Sequence, residues 1–305
     1  MAVLGPTGSG KSELALQAAL RFGGEIVNCD SLQVYRHLNI GTAKVRAEDQ
    51  RGVPHHLLDV VNPDELFTAG EYLRRARPVL NEIAARSRLP IVVGGTGLYL
   101  RALLEGLSPA PERDAALRAR LAARESRRRG SLHRLLSRLD PPAAGRIHPG
   151  DARKLIRALE VRLLTRRPLS SVFAAGRDPL PGFRWLKLAL DPPREALYRR
   201  LDARCEAMFS GGLLEEVRRV LALGFSETSK PLEAHGYRQA VQLLKGELDL
   251  QQALCHAQRN TRRYAKRQRT WFRREPDVVW IPGFGDQPEA QEAARRIIED
   301  FLAGF

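Results

Sequence analysis

The segment GPTGSGKS, Gly5 to Ser12, constrains the fold more than any other stretch of the chain. It satisfies G-x-x-x-x-G-K-[ST] in full. It lies between a short apolar run, MAVL, and a helical apolar pattern through Leu14, Ala15, Ala18 and Ala19. Gly5, Gly8 and Gly10 let backbone N–H groups turn inward around an anion, with Pro6, Thr7 and Ser9 completing the loop. The helix that follows adds the partial positive charge of its N-terminus. Lys11 supplies a full charge, and Ser12 a hydroxyl suited to Mg²⁺. The dinucleotide fingerprint G-x-G-x-x-G does not occur. A phosphate-binding turn is therefore expected, with the owner of the phosphates left open.

Strands and helices alternate after the loop. Residues 25–29 read as a strand, 68–88 as a helix kinked at Pro78, and 89–93 as a strand running into GGTGLYLRALLEG. This alternation predicts a parallel sheet covered on both faces. From Pro109 to about Pro181 the texture turns helical and arginine-rich, with nine arginines from Arg113 to Arg138. A strand returns over 184–191. Helices follow over 193–209, 212–223, 233–245 and 249–273, then the strand VVWIP and a helix over 289–302. The expected fold is α/β: a P-loop NTPase-like parallel sheet flanked by helices, with an inserted all-helical domain. The core would be 1–108 plus 183–305, and the insertion 109–182.

Composition narrows the function classes. The 305 residues carry a net charge of +15, and 43% are hydrophobic, as in a globular protein. Only 7 of the 50 basic residues are lysine, a bias that base composition can produce, but such bias does not create an excess of positive charge. A polyanionic partner is expected, nucleic acid before membrane. No run of about 18 apolar residues exists, so no membrane span is expected. No signal peptide precedes the first motif, so a cytoplasmic location is expected. The opening strand is short enough that a few residues are expected to be missing upstream. Cys29, Cys205 and Cys255 stand apart without CxxC spacing, so they are read as reduced thiols.

The stretch IVNCDSLQVYR ends a β-branched run at Asp30, nineteen residues after Lys11. Ligands of parallel sheets collect beyond the carboxyl ends of the strands, which places Asp30 near the phosphate loop. It can cap the next turn, serve a metal through water, or accept a proton from a nucleophile. Spacing does not separate these roles.

The segment CDSLQVYRHLNIGTAK resembles the D-S-x-Q-x-Y-x-x-x-x-I-G-T-x-K signature of tRNA dimethylallyltransferases (tRNA isopentenyltransferases). Further motifs of that family follow in order: VPHHLLD, VVGGTGLYLRALLEG, RIHPGDARKLIRALEV, GYRQ and TRRYAKRQRTWFR. With the phosphate loop they cover nearly the whole chain. The resemblance implies transfer of a dimethylallyl group from dimethylallyl diphosphate to N6 of adenosine 37, in tRNAs reading codons that start with U. It implies Mg²⁺ as cofactor and the tRNA anticodon stem-loop as partner; a monomer is expected. Asp30 matches the family's proton acceptor, Thr96 a tRNA contact at the reaction centre, and Arg204 a diphosphate ligand. Gly5 to Ser12 then hold the donor's diphosphate, with Mg²⁺ at Ser12. Segments matching tRNA contacts are Asp30, Ser31, Leu32 and Gln33; Arg118; Arg153, Lys154, Leu155, Ile156 and Arg157; and Gly236, Tyr237 and Arg238. Glu233 and His235 depart from the family's pattern.

The residues themselves leave plainer readings. Thr96 can be a helix N-cap, and Arg204 a solvated helical arginine. Arg262, Lys266, Arg269 and Arg273 form one helical stripe, and Tyr264, Gln268 and Trp271 its neighbour. That face suits RNA, or water with the aromatics packed inward. His55, His56 and Asp59 lack the geometry of a metal site, since adjacent histidines do not share a strand face. The competing functions are a P-loop nucleotide or small-molecule kinase, which must move the γ-phosphate of ATP, and a non-catalytic RNA-binding P-loop protein.

Overall fold

The computed structural model describes residues 1–174 and 176–304. In chain order the elements are β1 (Ala2–Leu4), α1 (Lys11–Phe22), β2 (Gly24–Asn28), β3 (His55–His56), α2 (Ala69–Ala85), β4 (Leu89–Val93) and α3 (Gly97–Glu105). Five helices follow: α4 (Ala115–Arg127), α5 (Ser131–Leu139), α6 (Pro141–Ala144), α7 (Ala152–Thr165) and α8 (Leu169–Ala174). The chain continues with β5 (Lys187–Asp191), α9 (Arg194–Ser210), α10 (Leu213–Ala222), α11 (Tyr237–Leu244), α12 (Leu250–Phe272), β6 (Val278–Pro282) and α13 (Pro288–Ala303).

The chain divides into two compact units, Met1–Leu103 with Gly182–Phe305, and Leu104–Pro181. The first unit holds one parallel six-stranded sheet in the order β3-β2-β4-β1-β5-β6. This is the flanked parallel sheet that strand–helix alternation predicts. Its inner strands are buried on both faces, so β1 and β4 read as continuous apolar runs rather than alternating ones, while β2 also buries Glu25 and Asn28. Val3, Ile26, Ile91, Val93, Leu188 and Leu190 form its core with Leu14, Ala15 and Ala18 of α1 and Ala290, Ala294 and Ile298 of α13. The order β2-β4-β1 places three carboxyl ends side by side. The segments that leave them are Asp30–Ser31, Gly94–Thr96 and the phosphate loop.

The helical unit has its own core, built from Leu121, Leu132, Leu136, Leu155, Ile156, Leu159 and Val161. Asp114, Asp140 and Asp151 cap α4, α6 and α7 by accepting backbone N–H bonds from Leu117, Ala143 and Lys154. No described helix is long and apolar enough to cross a membrane.

Two elements differ from expectation. The segment PHHLLDVV contains a two-residue strand, β3, paired with Ile26 and Val27. The helix expected over 233–245 is broken: a 3-10 turn at Lys230–Glu233 precedes Gly236, whose φ of +88° starts α11 afresh.

Candidate active site

The phosphate loop is held open from outside. Gly10 has φ +85°, and a Cβ there would lie 2.8 Å from the Gly285 nitrogen. Only glycine allows the 283–287 loop to pack this closely, with Gly285 N–H donating to Ser9 O at 2.8 Å. Thr7 N–H donates to Gln268 Oε1 at 2.8 Å, and Gln268 Nε2 donates to Gly95 O at 2.9 Å. One buried amide on α12 thus joins the phosphate loop to the segment after β4. Lys11 folds back, its Nζ donating to Pro6 O at 2.7 Å. Burial lowers the Lys11 ammonium to about 8; Asp30 opposes the shift, and Arg204 adds to it. All three charges therefore act on one another.

Asp30 follows the end of β2. Its N–H donates to Asn28 Oδ1 at 3.0 Å, and its own Oδ1 accepts from Leu32 N–H at 2.8 Å. The turn-capping role is therefore real, and it uses one carboxylate oxygen. The Thr96 hydroxyl accepts from Ser31 N–H at 3.1 Å. Thr96 N–H donates to Cys29 O at 3.2 Å. The phenol of Tyr264, on α12, lies near the Thr96 side chain and Asp30. Burial, with Asp30's charge second, pushes that phenol upward. Cys29, buried beneath, is pushed up to about 12 by desolvation and stays a thiol.

These groups border a cavity of about 910 Å³ lined by Thr7, Gly8, Gly10, Lys11, Ser12, Asp30, Gln33, Lys44, Arg200, Arg204 and Gln268, among others. Arg204 enters it from α9, and burial lowers its pKa. Arg200, one turn earlier, is held by Asp286 through bonds of 2.9 and 2.7 Å. The wall holds an anion cradle with Lys11, Arg200 and Arg204 and, among its carboxylates, Asp30, a set suited to a phosphorylated substrate meeting a second reactant that gives up a proton.

The structure brings Gly5 to Ser12, Asp30, Ser31, Leu32, Gln33, Thr96 and Arg204 together at the ends of β1, β2 and β4. It separates others by burial. Tyr237 is 0% exposed and donates its hydroxyl to Glu216 Oε1 at 2.6 Å, so its ring cannot face RNA. Leu155 and Ile156 are core residues of the helical unit, 0% and 8% exposed. At these three positions the side chains point inward. Arg118 and Arg157 bind the buried carboxylate of Glu160 at 3.1 and 2.6 Å, whereas Arg153 and Lys154 are exposed. Gly236 starts α11 and Arg238 follows in its first turn.

The basic stripe on α12 is likewise partly taken. Arg262 pairs with Asp202, and Arg269 with Asp191 at 2.6 Å. His235 rests its ring 5.5 Å from that of Tyr264, and Glu233 pairs with Lys230. His55 Nδ1 meets Val53 O, His56 Nε2 meets Glu25, and Lys44 bonds Asp59 at 2.6 Å. No cluster of three metal-ligating acidic, histidine or cysteine side chains occurs among the described residues. The sequence reading missed Gln268 and Tyr264 as site residues. Their i, i+4 spacing on the stripe beside the basic one was the available signal.

Comparisons with known proteins agree on one family. The model of a family described as IPP transferase matches residues 33–275. The tRNA dimethylallyltransferase of Solibacter usitatus is 62% identical over 302 residues, covering 99% of this chain and 98% of that protein. That of Koribacter versatilis is 56% identical over 298 residues, 97% of each. A solved structure of a eukaryotic dimethylallyltransferase acting on tRNA superposes with a TM-score of 0.85 at 28% identity, covering 99% of this chain and 79% of the other. The full-length tRNA isopentenylpyrophosphate transferase of Bacillus halodurans gives 0.71 at 36% identity, covering 99% and 95%. With the family model matched over residues 33–275 and a relative 62% identical over 99% of this chain, the chain belongs to the IPP transferase family.

Proposed function

We propose that this chain is a tRNA dimethylallyltransferase: it moves a dimethylallyl group from dimethylallyl diphosphate to N6 of adenosine 37, in tRNAs reading codons that start with U, and releases diphosphate. The observation that carries the reading is the single cavity bounded by the phosphate loop, Asp30 and Arg204. A new bond forms between the allylic carbon and N6, while the carbon–oxygen bond to the diphosphate breaks. Lys11 and Arg204 offset the negative charge gathering on the leaving anion. Asp30 has one oxygen engaged with Leu32 N–H, and its other takes the proton that N6 must shed. Thr96 holds the Asp30–Ser31 turn against the end of β4.

Mg²⁺ suits the same cavity. It needs only one or two protein oxygens when substrate phosphates and water complete its shell, and the Ser12 hydroxyl lies on the cavity wall. When bound, the ion would neutralise charge on the diphosphate. The helical unit, through exposed Arg153 and Lys154 beside the caps of α7, grips the phosphates of the anticodon stem-loop. No phosphoryl group moves on this reading.

The test is direct. Unmodified tRNA bearing A36–A37 is incubated with the protein, dimethylallyl diphosphate and Mg²⁺, and its nucleosides are weighed after digestion. Adenosine gaining one C5H8 unit is the expected result. ADP released from ATP with a small acceptor and no alkylation would replace this reading with a kinase.

A further inference from the structure

We infer that Glu216, on α10, is a positioning residue: its buried carboxylate shapes the 38–44 loop that forms one wall of the reaction cavity, and ties that loop to the start of α11. The inference rests on the prenyl-transfer reading for its kinetic consequence alone. Glu216 is 2% exposed. Its Oε2 accepts from Asn39 N–H and Ile40 N–H, both at 2.8 Å. Its Oε1 accepts from Gly41 N–H at 3.3 Å and from the Tyr237 hydroxyl at 2.6 Å. Three successive backbone donors converge on one carboxylate, the arrangement of an anion-binding nest filled by the protein's own side chain. Gly41 has no alternative, since a Cβ there would lie 2.5 Å from the Tyr237 ring.

The loop passes this order on to the cavity. Thr42 Oγ1 donates to Leu38 O at 2.8 Å. The carbonyls of Thr42 and Ala43 accept from Gln33 Nε2 at 3.2 and 3.4 Å. Lys44 Nζ reaches Tyr35 O at 2.8 Å and Asn39 Oδ1 at 3.1 Å. Gln33, Thr42, Ala43 and Lys44 all line the cavity that holds Asp30. Glu216 touches none of that space, yet every bond from Asn39 to Gln33 depends on the loop it clamps. Were packing alone required, an apolar side chain would fill the site without the cost of burying a carboxylate. The partners here are neutral donors on a loop, so what the charge provides is a single loop conformation. Gly236, Tyr237 and Arg238 are drawn in through the Tyr237 hydroxyl, so one carboxylate orders two of the segments that match tRNA contacts.

Glu216→Gln keeps the volume but turns an NH2 group toward backbone and phenol donors. Tyr237→Phe removes one bond of the four. Both full-length variants would be followed by amide hydrogen exchange, equilibrium tRNA binding, and steady-state kinetics on each substrate. For E216Q, exchange at residues 39–41 should rise about tenfold or more, the scale of one hydrogen bond to a charged group, with residues 91–93 unchanged. The tRNA kcat/KM should fall by about the same factor, while the donor KM stays within about twofold. Y237F should move both in the same direction by a smaller factor. Faster exchange with unchanged tRNA kinetics and binding overturns the inference, as does an equal loss toward both substrates. If E216Q fails to fold, Y237F is judged by the same criteria. A wild-type protein that binds tRNA without alkylating it refutes the proposed function alone, and the inference is then decided by exchange and tRNA affinity.

Discussion

Glu216 in the α/β unit and Glu160 in the helical unit are both buried carboxylates on helices, yet they hold different kinds of partner. Glu216 accepts three backbone N–H bonds and a phenol, and so fixes the path of a loop. Glu160 accepts one backbone N–H, from Asp114 at 2.9 Å, and otherwise binds the guanidinium groups of Arg118 and Arg157. The first uses charge to shape a wall of the reaction cavity. The second uses it to hold side chains that a reading of charge alone would assign to RNA. A count of 50 basic residues therefore overstates what a polyanion meets, because several arginines already have carboxylate partners.

The largest test of this contrast separates donor chemistry from RNA affinity. Lys11→Ala should lower kcat/KM for dimethylallyl diphosphate by about 10²–10³, the scale of losing one group that stabilises a leaving anion. Its tRNA dissociation constant should stay within about twofold, because that binding is spread over many basic residues. A comparable loss of tRNA affinity would break the division. Next, Glu160→Ala strips two arginines of their shared partner. It should cost about 2–4 kcal/mol in urea unfolding, as when one member of a buried ion pair is removed. A cost under about 0.5 kcal/mol would place Glu160 with ordinary surface substitutions.

Smaller effects sharpen the comparison within the helical unit. Arg153→Ala with Lys154→Ala should weaken tRNA binding about tenfold and flatten the log-affinity against log-salt slope by about 1–2. Arg118→Ala should change that slope by less than about 0.5, since its guanidinium is held by Glu160. Equal slopes would show that Arg118 leaves Glu160 for phosphate. The smallest effect is on pH. With Lys11 near 8, its charged form dominates below that value. Donor affinity should be flat up to about pH 7 and fall about fourfold by pH 8.5, as the fraction protonated drops. Lys11→Arg should abolish the pH dependence while the charge persists. The same depressed pKa opposes folding below about 8, because the unfolded chain binds that proton more tightly. The penalty fades as pH rises from about 8 toward the unfolded value near 10.4.

Much of the architecture was readable because it is local. The phosphate loop, the apolar strands and the helix over Lys11–Phe22 follow from turn chemistry and periodicity within a few residues. The strand His55–His56 was not, since two residues carry no period and its pairing partners lie 29 positions earlier. The break before α11 depends on Gly236 at positive φ, and a helical apolar pattern runs across it. Asp30 could be placed beyond the end of a strand. The bond from Thr7 to Gln268 spans 261 residues, and no local pattern announces it. Burial was the hardest property to read. Leu155, Ile156 and Tyr237 sit in motifs that resemble RNA contacts, and only their packing shows that the side chains point inward.

The central claim is that Asp30 accepts a proton from the base while the phosphate loop holds the leaving anion. Asp30→Asn tests it cleanly, because the amide oxygen of asparagine can still accept from Leu32 N–H and keep the turn. The measurement is the single-turnover rate of alkylation with tRNA and donor saturating, beside the equilibrium tRNA dissociation constant. The account predicts a rate lower by about 10²–10⁴ and a dissociation constant within about twofold of wild type. An unchanged rate, or lost tRNA binding with the rate at saturation intact, would contradict it.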